Sequence, residues 1–123
     1  MEWGISMKLS EIVTLTHATI FTPTDHTRLE SNYDKGFACD LMSDVLAYVE
    51  DHVLLITGLV NEHSLRTATM LDIDAILFVR GKKPTPALIE EAIRKNVTLL
   101  GTNMTSYQVS GILYNAGLGS LEL

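Results

Sequence analysis

Cysteine is almost absent from this sequence, and long apolar runs are absent altogether. Cys39 is the only cysteine among 123 residues, so the chain cannot form an internal disulfide and shows no sign of an oxidising compartment. No apolar run approaches the roughly 20 residues that a membrane-spanning helix needs. The first residues, MEWGISMKLSEIV, lack the basic region and apolar core of a secretory signal. We therefore expect a cytoplasmic protein.

Basic residues are also scarce. Nine lysines and arginines stand against 15 aspartates and glutamates, which gives a formal net charge of −6 at pH 7. An acidic surface repels nucleic-acid phosphates and anionic lipid headgroups, so we expect neither nucleic acid nor a membrane as partner. The four histidines form no i, i+4 pair and have no cysteine partners; they are His17, His26, His52 and His63. This pattern gives no support to a metal site, and we expect no metal and no cofactor.

Apolar residues, by contrast, make up 46% of the chain, enough for the core of one domain. Three segments are almost continuously apolar: Val53–Ile56, Ile73–Val79 and Val97–Leu100. Such runs are typical of strands that are covered on both faces of a sheet. They predict three buried strands.

Helical patterns lie between and after these strands. Apolar residues recur at helical spacing around residues 41–49, 88–93 and 109–116, and residues 61–71 fit a helix between two strands. Thr85 followed by Pro86 predicts a helix start, and Thr105 with Gln108 forms a capping box. Gly117 is placed to end the last helix in a left-handed cap.

The alternation of strand and helix predicts the fold. We expect a single α/β domain with a largely parallel sheet, right-handed crossovers and flanking helices. Upstream, residues 9–15 read as a helix, 18–21 as a strand, 22–35 as a polar turn-rich segment and 37–39 as a further strand.

A candidate ligand edge follows from this fold, because ligands of parallel α/β sheets bind beyond the carboxyl ends of the strands. Four loops should meet there: residues 40–44, 57–61, 80–85 and 101–106. The candidate ligand-binding residues are Asp40, Ser43, Asp44, Thr57, Gly58, Asn61, Gly81, Lys82, Lys83, Thr102, Thr105 and Ser106. The alternative is that these are only the turn and cap residues that any such loop needs.

Two groups in these loops carry possible chemistry. Asp40, Ser43 and Asp44 resemble a carboxylate cluster, but Asp40 as a helix cap and Asp44 in the first helical turn explain them without catalysis. Ser43 lies in no G-x-S-x-G elbow, and we expect no catalytic residue. The basic cluster Arg80, Lys82 and Lys83 either holds an anion or forms a solvated turn; its spacing is not that of a P-loop.

Three further side chains have both a structural and a functional interpretation. Cys39 is expected to be a small buried side chain of a strand rather than a reactive thiol. Tyr107 and Tyr114, seven residues apart on the last predicted helix, fit either a subunit contact or ordinary packing.

The order of these segments resembles the DRTGG domain family, which is itself similar to the N-terminal domain of bacterial HPr kinase/phosphorylase. The resemblance is carried by D-L-x-S-D-V at Asp40–Val45, G-x-x-P at Gly81–Pro84 and LLGTNMTSYQVSGILY at Leu99–Tyr114. It covers Met7 to Gly117. Residues 30–36, ESNYDKG, stand where the family has its eponymous Asp-Arg-Thr-Gly-Gly motif, and Gly36 alone matches a glycine of that motif.

The resemblance implies a regulatory or interaction module. Such domains occur between CBS domains in regulated pyrophosphatases, in some phosphotransacetylases and as small stand-alone proteins, and they commonly form homodimers. The kinase chemistry of HPr kinase belongs to a P-loop domain that this sequence lacks. The implied organisation is an N-terminal extension at residues 1–6, a DRTGG-like domain at 7–117 and a C-terminal tail at 118–123.

Three functional hypotheses follow. The first is a stand-alone, non-enzymatic regulatory module that forms a homodimer and binds a small anionic metabolite or nucleotide. The second is an interaction or scaffold subunit that docks onto a partner enzyme without a small ligand. The third, which has the least support, is a small hydrolase or transferase that uses Asp40, Ser43 and Asp44.

Overall fold

A computed structural model describes residues 6–49 and 52–122. The predicted N-terminal extension, apart from Ser6, lies outside the described residues. Within the described residues there are seven strands and six helices. In chain order they are β1 (Met7–Lys8), α1 (Leu9–Thr16), β2 (Thr19–Ile20), α2 (His26–Leu29), β3 (Asn32–Tyr33), β4 (Lys35–Ala38), α3 (Met42–Tyr48), β5 (Val53–Thr57), α4 (Glu62–Met70), β6 (Ala75–Phe78), α5 (Pro86–Arg94), β7 (Thr98–Gly101) and α6 (Ser106–Asn115).

Five strands form the main sheet, in the order β2-β7-β6-β5-β4. The four strands β4 to β7 are parallel, whereas the short edge strand β2 runs antiparallel to β7. In the centre of the sheet Leu55 pairs with Ile76, and Ile76 pairs with Leu99. This confirms the predicted α/β fold with a largely parallel sheet. The strands β1 and β3 form a separate two-stranded ribbon.

Helices cover both faces of this sheet. Successive strand residues point to opposite sides, so neighbouring residues contact different helices. Leu55, Ile76 and Leu99 pack against α3, α4 and α5 on one face. Their neighbours Leu54, Leu77 and Leu100 pack against α1 and α6 on the other. Each fully buried leucine or isoleucine contributes roughly 1.5–3 kcal/mol by leaving water. The almost continuous apolar sequence of the strands is thus explained by two-sided burial.

The predicted helix boundaries are confirmed where a local signal marks them. The Thr85 hydroxyl accepts a hydrogen bond from the Leu88 amide at 3.1 Å, with Pro86 in the first turn. Thr105 and Gln108 form the capping box of α6. At its other end Gly117 has φ 114°, and the Leu118 amide donates to the Leu113 carbonyl at 2.9 Å. These bonds form a Schellman motif.

Two regions of the domain have more structure than their sequence suggests. The turn-rich segment 22–35 contains both α2 and β3. At the other end Leu118 is buried, and Gly119 forms backbone hydrogen bonds with Asp34 and Gly36 beside β4. The predicted domain limits themselves stay a prediction. None of the described helices has the length and apolarity that crossing a bilayer demands.

Candidate functional site

The loops that follow β4, β5, β6 and β7 lie along one edge of the sheet, which we call the carboxyl rim (residues 39–41, 58–61, 79–85 and 102–105). The contacts along it are continuous. Asp40 bonds to Thr57 and Gly58, Gly58 lies under Arg80, and Arg80 bonds to Met104. The expectation that these loops converge is therefore confirmed. Whether they bind a ligand is a separate matter.

Asp40 joins the first two loops. Its Oδ1 accepts hydrogen bonds from the Thr57 hydroxyl and from the Gly58 amide, both at 2.8 Å. The Gly58 amide bond is the main cause of a lowered pKa of the Asp40 carboxyl, and the Thr57 hydroxyl and the positive charges of Arg80 and Lys82 lower it further. Asp40 therefore remains a carboxylate at neutral pH and makes a weak general base.

The prediction that Asp40 caps the next helix is wrong. Helix α3 begins at Met42, its N-cap residue is Leu41, and no side chain caps it. Asp40 instead reaches sideways to β5, where a buried hydroxyl and a backbone amide both need an acceptor. Asp44 does lie in the first turn of α3, as expected.

Arg80 lies directly over Gly58. A Cβ atom built on Gly58 would stand 2.7 Å from Arg80 Nη2 and 3.0 Å from its Cζ and Nη1. Glycine at this position thus allows the guanidinium group to rest on the backbone of the neighbouring loop. The group is exposed, and it lies close enough to Asp40 to lower the pKa of that carboxyl.

The β6–α5 loop that carries Arg80 has an unusual backbone. Arg80 and Gly81 have φ values of 60° and 70°, in the left-handed region that is rare for an arginine. The Arg80 amide donates to the Met104 carbonyl at 2.8 Å, and the Gly81 amide donates to the Thr102 carbonyl at 2.9 Å. These bonds fix the loop against its neighbour. They also occupy both amides, so neither of these two groups is free to bind an anion.

The loop carries three basic side chains, Arg80, Lys82 and Lys83. None of the ion pairs among the described residues involves Arg80, Lys82 or Lys83. All three residues are exposed. The loop thus places three positive charges on the rim of an acidic protein, with Asp40 as the nearby negative charge.

Other predicted ligand residues are occupied by structural bonds. Asn61 caps α4 through the amides of His63 and Ser64, and Thr105 caps α6. The Thr102 hydroxyl donates to the carbonyl of Thr16 at 2.7 Å, and that of Thr57 donates to Asp40. For these four residues the turn-and-cap interpretation is sufficient.

The remaining candidates differ in position. Ser43 and Asp44 lie exposed on α3, and Ser106 is the first residue of α6. Arg80 belongs to the basic cluster that the sequence predicts either to hold an anion or to form a solvated turn. Asn103, in the predicted loop 101–106, is not among the predicted ligand residues. The Asn103 Oδ1 would stand 3.1 Å from a Cβ on Gly81. For Arg80 a signal was present, since it is the first charge after a buried strand and precedes a glycine.

A groove of about 730 Å³ runs between α4 and α5, away from Arg80. Its apolar floor includes Leu65 and Leu88, and its charged walls include Arg66, Glu91 and Arg94. Asn61 and Thr85 lie at the end of the groove nearest the rim. Sequence reasoning missed this groove because it depends on the spacing of two helices. It is the main competitor of the rim as a binding site.

Three other sequence predictions concern Cys39, the two tyrosines of the last helix and metal binding. Cys39 lies just beyond β4 and is half-buried, rather than buried inside the strand. Tyr107 and Tyr114 are 88% and 70% exposed, so ordinary core packing does not explain them. In the part of the chain that the structure describes, no group of three or more histidine, cysteine or carboxylate side chains is placed to share a metal.

Residues 30–36, at the position of the family's eponymous motif, lie before and at the start of β4. They are therefore at the amino end of the sheet, opposite the carboxyl rim. The Asp34 amide donates to the His52 carbonyl there at 3.0 Å.

Comparison with known proteins gives one informative result. No protein-family model matches the chain, and no curated protein sequence does. Among solved structures, the CBS and DRTGG domains of the regulatory region of Clostridium perfringens pyrophosphatase, crystallised with the activator diadenosine tetraphosphate, match with a TM-score of 0.71. The match covers 86% of this chain and 45% of that chain at 16% identity. The fold of this protein is thus similar to that of a regulatory region that contains a DRTGG domain.

Proposed function

We propose that this chain is a non-enzymatic regulatory module that binds a small anionic metabolite or nucleotide at the carboxyl rim. The observation that carries the proposal is the group of three exposed basic side chains at Arg80, Lys82 and Lys83, none of which forms an ion pair within residues 6–49 and 52–122. On a chain of net charge −6 such a group attracts anions locally while the rest of the surface repels them. The pyrophosphatase regulatory region, which binds a nucleotide activator, supports this class of ligand.

The arrangement of the rim suggests how an anion is held. Arg80 provides a planar donor group suited to phosphate oxygens, and Lys82 and Lys83 add point charges. Asp40 and Gly58 fix the surface on which the Arg80 guanidinium rests. Asp40 accepts two hydrogen bonds and has a lowered pKa, so its proposed role is to position this surface rather than to transfer protons.

Two further parts of this proposal depend on the sequence. The homodimer rests on the resemblance to DRTGG domains, and the cytoplasmic location rests on the single cysteine and the lack of a secretory signal. The kinship with the N-terminal domain of HPr kinase also remains a prediction.

Thermal denaturation with and without ligand tests the rim. ATP, diadenosine tetraphosphate and acetyl phosphate are each added at millimolar concentration, and a ligand at about 100 times its Kd adds about 2.7 kcal/mol to the free energy of unfolding. We expect at least one of these anions to raise the Tm. The substitution Arg80→Ala should remove most of this rise.

The matched control is Arg66→Ala, which removes the same charge from the α4–α5 groove. This variant should keep the full rise in Tm. If Arg66→Ala loses it and Arg80→Ala keeps it, the groove is the binding site and the rim proposal is wrong. If no anion moves the Tm of the unmodified chain, the metabolite-binding function loses its support.

A second candidate function is docking onto a partner enzyme without a small ligand. It is favoured by the exposed apolar side chains of the α3 region, Leu41, Leu46 and Tyr48. Co-purification from the native host tests it. A partner that is retained by the Lys82→Ala/Lys83→Ala variant but lost with Leu46→Lys supports docking through α3, and loss in the first variant only points back to the rim.

A further inference from the structure

The outward face of α6 differs from every other helix surface that the structure describes. Tyr107 and Tyr114 are the two most exposed large apolar side chains among the described residues, at 88% and 70%. Helix α6 has no charged residue, whereas each of the other five described helices has at least one. Water solvates such a face poorly, so a large uncharged aromatic surface here suggests a contact with another molecule.

Gly111 lies near the middle of the same face, between the two tyrosines. A Cβ built on it would have no atom within 4 Å. Glycine in a helix interior is less stable than alanine, and no neighbour within the described residues requires it here. By contrast, Gly58 and Gly101 are explained by Arg80 and Phe21, which would stand under 3.0 Å from an added Cβ. A glycine on open helix surface is explained when another backbone approaches it closely.

We propose that a second copy of this chain docks on this face, with α6 crossing α6 at Gly111. Because Gly111 is near the centre of the helix, an antiparallel crossing about a two-fold axis places Tyr107 of one copy opposite Tyr114 of the other. Edge-to-face or offset aromatic packing then covers both rings. The proposal deepens the proposed function by naming the contact surface of the homodimer, and it does not require the anion site.

Charge is the reason for choosing a second copy as the occupant. Two chains of net charge −6 repel each other, and a symmetric contact brings identical groups together. The uncharged face of α6 meets itself without placing like charges opposite one another. The exposed apolar patch on α3 is less suitable, because Asp44 lies on that helix and Glu50 and Asp51 follow it in the sequence.

Analytical ultracentrifugation of the unmodified chain and two arginine variants tests this contact. The apparent mass of the unmodified chain should be twice the 13.6 kDa mass of one chain. Gly111→Arg should weaken dimerisation at least about tenfold in Kd. Its far-UV melting curve should remain cooperative, because the added side chain points into open space and arginine is a better helix former than glycine. The control Ala47→Arg, at an exposed position on α3, should remain a dimer.

A second variant guards against misfolding of the first. Tyr107→Lys/Tyr114→Lys changes only exposed side chains, and it should also weaken dimerisation at least about tenfold in Kd. The proposal is overturned if the unmodified chain is monomeric up to about 100 μM, where a dimer with a Kd near 1 μM is nearly complete. It is also overturned if neither α6 variant raises the Kd of the dimer at least about tenfold, or if Ala47→Arg alone dissociates the dimer.

A measurement of anion binding distinguishes a failure of the α6 contact from a failure of the proposed rim function. The rise in Tm with ATP or diadenosine tetraphosphate is measured on the same α6 variants. A dimer that dissociates in Gly111→Arg, in a chain that binds no anion, supports the α6 contact and removes the rim function. A monomeric unmodified chain that binds ATP through Arg80 does the reverse.

Discussion

Arg28, at the amino ends of the parallel strands, and Arg80, at their carboxyl ends, lie in opposite surroundings. At the amino edge Arg28 contacts the Asp74 carboxylate at 3.0 Å and the Asn96 backbone and side-chain oxygens at 3.0 and 2.9 Å, and its side chain is only 16% exposed. At the carboxyl rim Arg80 is exposed and takes part in none of the ion pairs of the described residues. We call the first group, Arg28, Tyr33, Asp74 and Asn96, the amino-edge clamp.

This difference indicates a structural role for Arg28 and a ligand-binding role for Arg80. In the clamp the donors of the guanidinium are matched by fixed acceptors, so its hydrogen bonds hold segment 22–35 onto the sheet. At the rim the guanidinium lies on Gly58, and it forms no ion pair with any carboxylate of the described residues. A positioned but unpaired charge contributes little to folding and remains available for a ligand.

The largest expected effect comes from breaking the clamp. Arg28→Ala removes four contacts to Asp74 and Asn96 and with them the attachment of α2 to the amino ends of β6 and β7. We expect the free energy of unfolding to fall by roughly 2 kcal/mol, less than for a fully buried pair because Asp74 is partly exposed. Urea denaturation of Arg28→Ala and Arg80→Ala gives the comparison, and the rim variant should change by less than about 0.5 kcal/mol. Equal losses in the two variants would contradict the distinction between the edges.

A smaller effect is expected within the clamp at Tyr33. Its hydroxyl donates to Asp74 Oδ1 at 2.6 Å, and Tyr33→Phe should cost roughly 1 kcal/mol. Burial, together with the hydrogen bond to Asp74 and its negative charge, raises the pKa of the Tyr33 phenol. Because the folded-state pKa is raised, its stabilisation is complete below the unfolded pKa of about 10 and is lost as the pH rises above it.

The measurement is the free energy of unfolding between about pH 8 and 11, where the tyrosine of the unfolded chain begins to ionise. The unmodified chain should lose stability more steeply above pH 10 than Tyr33→Phe. Tyr48→Phe, at an exposed position on α3, is the control and should follow the unmodified chain. Parallel curves for all three would show that Tyr33 ionises normally in the folded protein.

The smallest effect on stability, and the sharpest test of the rim, is expected from Gly58→Ala. The added Cβ collides only with the end of the flexible Arg80 side chain, which can move aside. The free energy of unfolding should therefore change by less than about 0.5 kcal/mol, while anion binding measured by titration should weaken. Unchanged affinity would show that the resting position of Arg80 on Gly58 is irrelevant to binding.

The sequence predicts the elements of the rim better than it predicts their interactions. The strand ends and the caps at Thr85 and Thr105 follow from signals that span four residues or fewer. The prediction for Asp40 was wrong, and the reason is informative. A carboxylate before a helix is commonly a cap, but here it bonds to Thr57, 17 residues away, because the parallel alignment of β4 with β5 brings that hydroxyl closer.

The helix and strand in segment 22–35 were not predicted, for the same reason. Its composition is that of a loop, and its short helix and strand are stabilised by contacts that span 46 and 68 residues, between Arg28 and the edges of β6 and β7. No local pattern encodes such pairs. The α4–α5 groove is likewise invisible in the sequence, since it exists only where two helices lie side by side.

The sequence by itself determined the class of the fold. Apolar periodicity is a local property, and it specifies which residues must be buried and whether a strand is covered on both faces. Only the tertiary structure decided which polar groups meet. It placed Arg28 among acceptors and Arg80 on a glycine with its charge unpaired, because partner choice depends on the register of the strands and on the faces that the helices cover.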